Sequence, residues 1–203
     1  MILGITGGTG CGKTTLLKCI EAQGGVILDC DEIYHQLLQT SPALLAAIGA
    51  RFPGTVENGV LLRKKLGAQV FSQPEALLDL NAITHTAVKH AVQQRLEAKP
   101  SLAAIDAIAL FEGGLAELCH ITVAVCAPLE SRVKRLMLRD GISQEYARSR
   151  IAAQHDDRWF SDRCDYTLCN DSTPEVFQAK CLDFLTRLGI IDADGKHASP
   201  FLL

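Results

Sequence analysis

Gly7, Gly12, Lys13 and Thr14 hold the fixed positions of G-x-x-x-x-G-K-[ST] in the segment G-G-T-G-C-G-K-T. Polyphosphate oxygens are best held by several backbone N–H groups converging on one point. The chain must then curl tightly with no Cβ atoms in the way, hence the glycines. The pattern predicts a phosphate-cradling loop over Gly8, Thr9, Gly10, Cys11 and Gly12, continued by Lys13, Thr14 and Thr15 at the start of a helix whose dipole favours anions. Lys13 is expected to reach the β- and γ-phosphates as a point charge, and the Thr14 hydroxyl to ligate Mg²⁺.

A second group of chemical residues follows an apolar run at 26–28, which ends in Asp29-Cys30-Asp31. A carboxylate there suits proton abstraction from an acceptor hydroxyl, a poor nucleophile by itself. Asp31 also suits the N-cap of a helix over 33–38, and both readings stand on these residues alone. Arginines crowd the stretch 132–163. Arginines that close over a transferring phosphoryl group stabilise its charge and exclude water, whereas most helical arginines face solvent.

These residues need elements to position them. The apolar residues 1–5 read as a buried parallel strand entering the loop, and Leu16, Leu17 and Ile20 recur at helical spacing after it. Further strands are expected at 26–28, 103–111, 121–127 and 166–169. Helices are expected at 33–38, 42–48, 74–97, 128–138 and 174–188, with an amphipathic segment at 61–71 and a loop at 51–59. Strands alternating with helices predict an α/β fold, a three-layer α/β/α arrangement around a five-stranded, mostly parallel sheet. Ligands sit at the carboxyl ends of strands in such sheets, where the loop, Asp29–Asp31 and Glu112 are all expected. The expected organisation is one domain over 1–203: a core at about 1–40, 100–138 and 164–190, a helical acceptor-binding region at about 41–99, and an arginine-rich lid at about 139–163. The tail from Asp192 carries no pattern, and a D-x-x-G match at 192–195 is read as chance.

The 203 residues are 48% hydrophobic with a net charge of −3, enough for a sizeable core and unlike a protein that coats nucleic acid or an anionic membrane. No apolar run is long enough to span a bilayer and no cleavable leader is visible, so a cytoplasmic protein is expected. The eight cysteines form no C-x-x-C pair and no zinc spacing. Cys11, beside Lys13 and a helix N-terminus, is expected to have a lowered pKa and to be the most reactive thiol, the alternative being a side chain turned into the core and inert.

Guanine-specific N-K-x-D is absent, and so is the second signature of ATP-binding-cassette proteins. A small kinase remains. At this level of reading a nucleoside or nucleoside-monophosphate kinase is an alternative.

Nearly end to end, the chain resembles the dephospho-coenzyme A kinase family of P-loop kinases. The resemblance runs through I-T-G-G-T-G-C-G-K-T-T, V-I-L-D-C-D, Leu62-Arg63 with Leu66 and Val70-Phe71, D-A-I-A-L-F-E, paired arginines at Arg135 and Arg139, Ala152-Ala153-Gln154, and Asp165-Tyr166 with Asn170. Three positions depart from the family pattern: Thr86 follows His85 where a proline is usual, Ile108 replaces another proline, and Cys11 replaces a small residue. The resemblance implies transfer of the γ-phosphoryl of ATP, with Mg²⁺, to the 3′-hydroxyl of dephospho-coenzyme A, the last step of coenzyme A synthesis. It favours Asp31 as the base, with Asp29 orienting it or a metal-bound water. Arg139 is then the first candidate for transition-state charge and Arg135 the second. Thr6, Arg63, His85 and Glu112 become candidates for the acceptor, and Asn170 for the border of the adenine; a strand-end hydrogen bond for Thr6, a surface charge for Arg63, a satisfied helix histidine for His85 and a hold on Lys13 or Arg139 for Glu112 are the alternatives. The partners implied are small molecules, and the protein is expected to be a monomer or weak homo-oligomer.

Overall fold

The computed structural model describes residues 1–70 and 73–192. The chain begins with β1 (Ile2–Thr6), α1 (Lys13–Ala22), β2 (Val26–Asp29), α2 (Cys30–Thr40) and α3 (Pro42–Arg51). A short hairpin of β3 (Val56–Glu57) and β4 (Val60–Leu61) precedes α4 (Arg63–Val70) and the long α5 (Pro74–Leu96). Then come β5 (Ala103–Asp106), β6 (Ile121–Cys126), α6 (Leu129–Asp140), α7 (Gln144–Ala152), α8 (Asp157–Ser161), β7 (Tyr166–Cys169) and α9 (Pro174–Arg187). Phe71 and the tail beyond Asp192, with its D-x-x-G match, lie outside the described residues.

Two compact units form. Of the described residues, the first comprises 1–28, 99–110 and 116–192. Its five strands lie in the order β2-β5-β1-β6-β7. The central β1 pairs in parallel with β5 and β6, and β6 with β7. Leu3 and Ile5 point to the same side as Val123 and Val125, where Leu16, Ile20, Phe177, Cys181 and Leu185 of α1 and α9 bury them. Ala124 and Cys126 point the other way and meet Phe160 of α8. A strand covered on both faces has no polar side to present, which is why β1 and β6 read as continuous apolar runs.

The apolar run 103–111 is not one strand, because β5 stops at Asp106. The chain then turns inward: Ala107 N–H donates to Ile5 O and Ala116 N–H to Leu110 O, with Leu110 fully buried. Apolarity there serves a buried turn rather than a ladder, and composition cannot separate the two. Glu112 accordingly lies beyond the strand end and belongs to the second unit.

The second unit comprises 29–98 and 111–115. It takes in α2, which packs along α5, so the helical region starts at Asp29 rather than at 41. Leu38, Leu44, Leu45, Ile48, Phe52, Leu66 and Val70 form its own core. Ser41 caps α3 by accepting from Leu44 N–H. The expected loop at 51–59 contains the β3–β4 hairpin. Asn58 and Gly59 both take positive φ, 51° and 74°, as a tight two-residue hairpin turn requires.

Candidate active site

The glycine-rich loop lies in the first unit, between β1 and α1. Gly12 stands at the N-cap of α1 in a left-handed conformation (φ 104°) and has no side chain to cap the helix. Of the first-turn N–H groups, Thr15 N–H donates to Gly12 O (3.1 Å), and the N-terminal end of the helix favours an anion. Four loop carbonyls are gripped by side chains. Lys13 Nζ donates to Gly7 O (2.9 Å) and Arg132 Nε to Thr9 O (2.9 Å). Arg135 Nη1 donates to Gly10 O and Cys11 O (3.1 and 3.2 Å), and Asn170 Nδ2 donates to Cys11 O (2.8 Å). In a trans peptide the N–H points opposite to the C=O. The grips on Thr9 O and Cys11 O therefore turn the Gly10 and Gly12 N–H groups away from the bracing side chains.

Two glycines are fixed by the braces themselves. A Cβ at Gly8 would collide with the Arg132 guanidinium, and one at Gly12 with the Asn170 amide. Lys13, Arg132 and Arg135 together place three cationic side chains on one short loop. Thr14 is exposed in the first turn of α1, beside the half-buried Thr15.

Several expected roles change. Cys11 is fully buried in the sheet-side core. Burial pushes its thiol pKa up, more than the nearby Lys13 charge pulls it down, so the expected reactive thiolate is corrected to a small core residue. Thr6 is also fully buried, its hydroxyl spent on Ile108 O (3.1 Å). It ties the end of β1 to the turn after β5, the strand-end hydrogen bond that is the other reading of this residue. Asn170 is buried, with its amide on Cys11 O of the loop. Arg139 is not brought to the loop: its side chain is 60% exposed and forms a two-point pair with Asp140 (2.6 and 3.0 Å). Trp159 stacks on His155 with ring centroids 3.8 Å apart, under the Arg163 guanidinium.

Arg132, Asp157, Gln154 and Asp106 hold positions whose roles the sequence did not reveal. Arg132 sits in the first turn of α6, where helical periodicity alone gives a solvated arginine. Gln154 accepts from Thr9 N–H (2.8 Å). Asp106 ends β5 and is in register with Ile5 of β1. An apolar run closing on an acid beside the loop strand was the available signal, obscured by reading the strand through to 111.

In the second unit, β2 delivers Asp29 as the N-cap of α2. Its Oδ1 accepts from Asp31 N–H (2.9 Å) and Glu32 N–H (3.0 Å). The capping reading of Asp31 is thereby taken by Asp29, which fixes the backbone of Asp31 directly. Asp31 is exposed, and among the described residues its carboxylate has no hydrogen-bond or ion-pair partner. His85 and Glu112 do come together. They line a cleft of about 460 Å³ with Lys89, His90, Gln93 and Gly113. Arg63 is exposed at the start of α4 and its charge acts on the phenol of Tyr34, whose pKa burial raises.

A family model described as dephospho-CoA kinase (CoaE) matches residues 1–175. A dephospho-CoA kinase of Syntrophotalea carbinolica is 33% identical over 194 residues, covering 93% of this chain and 92% of the relative. The crystal structure of TT1252 from Thermus thermophilus superposes with a TM-score of 0.76 at 32% identity, covering 93% and 97% of the two chains. That of a dephospho-CoA kinase from Campylobacter jejuni gives 0.65 at 25% identity, covering 92% and 96%.

Proposed function

The chain belongs to the dephospho-CoA kinase family, a kinase acting at the last step of coenzyme A synthesis, and from that premise we propose how its residues divide the reaction. ATP is the phosphoryl donor and binds at the glycine-rich loop. The bond between the γ-phosphorus and the bridging oxygen of ADP breaks as the 3′-oxygen of the acceptor ribose bonds to that phosphorus. Asp31 takes the hydroxyl proton and later releases it to water. Lys13 and the loop N–H groups hold the β- and γ-phosphate oxygens and the charge that builds on them. Arg139 adds charge when its pairing with Asp140 is exchanged for phosphate. His85, Glu112 and Arg63 hold the acceptor.

Mg²⁺ fits the donor set. Thr14 offers a hydroxyl and Asp106 a carboxylate, both hard oxygen ligands. Among the described residues no three His, Cys, Asp or Glu side chains cluster into a cage of their own. That suits an ion carried in by phosphates. When bound it neutralises charge on the β- and γ-oxygens. Among the described residues no helix is long and apolar enough to cross a membrane. We place the enzyme in the cytoplasm as a monomer or weak homo-oligomer.

The observation that carries this reading is the braced loop, whose gripped carbonyls leave amide donors and Lys13 for a polyphosphate. Incubation with ATP, Mg²⁺ and dephospho-coenzyme A should yield coenzyme A and ADP by mass spectrometry. Product from nucleoside monophosphates but none from dephospho-coenzyme A would overturn the reading.

A further inference from the structure

The most heavily built feature outside the recognised motifs is Arg132. Its side chain is 5% exposed, yet it is charged and joins two different segments. Nε donates to Thr9 O in the loop (2.9 Å), and Nη1 donates to Asp157 Oδ1 at the start of α8 (3.0 Å). The other oxygen of Asp157 accepts from Ala127 N–H, just past β6 (3.1 Å). The Arg132 backbone and guanidinium also lie against Gly10 and Gly8, so closely that a side chain at Gly8 has no room. Gln154, three residues before Asp157, takes Thr9 N–H. Thr9 is thus held at both its N–H and its C=O. A buried arginine is costly unless paired, and among the described residues its Nη2 has no hydrogen-bond partner. Core stability alone is poorly served by such an arrangement, since an apolar side chain would fill the space without the cost.

We propose that Arg132 and Asp157 form a positioning unit for the phosphate loop. Asp157 aims the guanidinium, and the guanidinium fixes the orientation of the Thr9 carbonyl, and through it the Gly10 N–H. The same pair makes loop shape depend on the segment 154–157, so that nucleotide binding and the placement of that segment are coupled. This rests on the loop being the ATP site, as proposed above, but adds residues outside the nucleotide motif.

The test separates positioning from stability. Arg132→Met/Asp157→Asn removes both charges and keeps an acceptor for Ala127 N–H. Its melting temperature should stay near that of the wild type, because no unpaired buried charge remains. Its affinity for ATP by calorimetry should fall on the order of tenfold, as expected when a binding frame is misplaced. The KM for ATP should rise in step and the KM for the acceptor should hold. Arg132→Lys keeps the charge but not the fork, and should also lose ATP affinity. Wild-type ATP affinity in either folded variant would overturn the proposal. Wild-type protein that binds ATP but makes no coenzyme A would instead overturn the function proposed above and leave this binding result readable.

Discussion

Lys13 is half-buried and its ammonium donates to Gly7 O. Lys13→Ala should therefore lower kcat about a hundredfold or more, the usual cost of a lost transition-state contact, while the melting temperature barely changes. Wild-type turnover would reject the role. Asp31→Asn is now a cleaner experiment than the sequence suggested, because Asp29 already caps α2. The substitution should leave stability unchanged and reduce kcat on the order of a hundredfold with both substrates still bound. A near-normal kcat would remove Asp31 as the base. Cys11 makes the opposite case. With its thiol buried and its pKa raised, brief alkylation followed by peptide mapping should label it far more slowly than the exposed Cys169. Rapid labelling of Cys11, blocked by ATP, would restore the reactive-thiol reading.

At the scale of elements, the end of α6 and the body of α7 are joined by Asp140. It accepts from Arg139 (2.6 Å) and from Arg150 (2.6 Å). Arg139, foremost, and Arg150 hold the Asp140 carboxyl down to about 2. A depressed folded pKa means that the contribution to stability is fully present above the unfolded value, roughly 4, and is lost as pH falls through that value toward about 2. The melting temperatures of wild type and Asp140→Asn should differ most near neutral pH and converge over that acid window. The difference should be small and weaken in high salt, since the pair is solvent-screened. A gap that persists unchanged below the window would show that Asp140 acts by something other than its charge.

Across the whole chain, the arginine-rich segment at about 139–163 is the one expected as a lid. It has a small core of its own: Ala147 and Ile151 of α7 pack on Val133 and Leu136 of α6. Phe160 at its far end is fully buried against β6. Few buried contacts mean a low local opening free energy, so α7 should exchange amide hydrogens faster than α1. Addition of a non-hydrolysable ATP analogue should slow that exchange if the segment closes over nucleotide. Equal and strong protection with and without the analogue would refute a lid.

What the chain announces by itself is whatever is local. The phosphate loop was legible because its chemistry demands particular residue types at fixed spacing between a strand and a helix. The five strands and most helices were legible because apolar periodicity is set by the nearest neighbours in sequence. Asn58-Gly59 was equally local and was overlooked. Tertiary structure decided everything that depends on what stands opposite. Cys11 is a core residue because its side chain turns inward, and the Thr6 hydroxyl bonds Ile108 O because that carbonyl lies within its reach. Which arginine serves the loop also depends on approach, for Arg132 and Arg135 are bonded to it and Arg139 is bonded to Asp140. Spacing along a helix says which residues share a face. It cannot say what that face meets, because burial and hydrogen-bond partners are supplied by segments more than a hundred residues away along the chain, as Thr9 and Arg132 are.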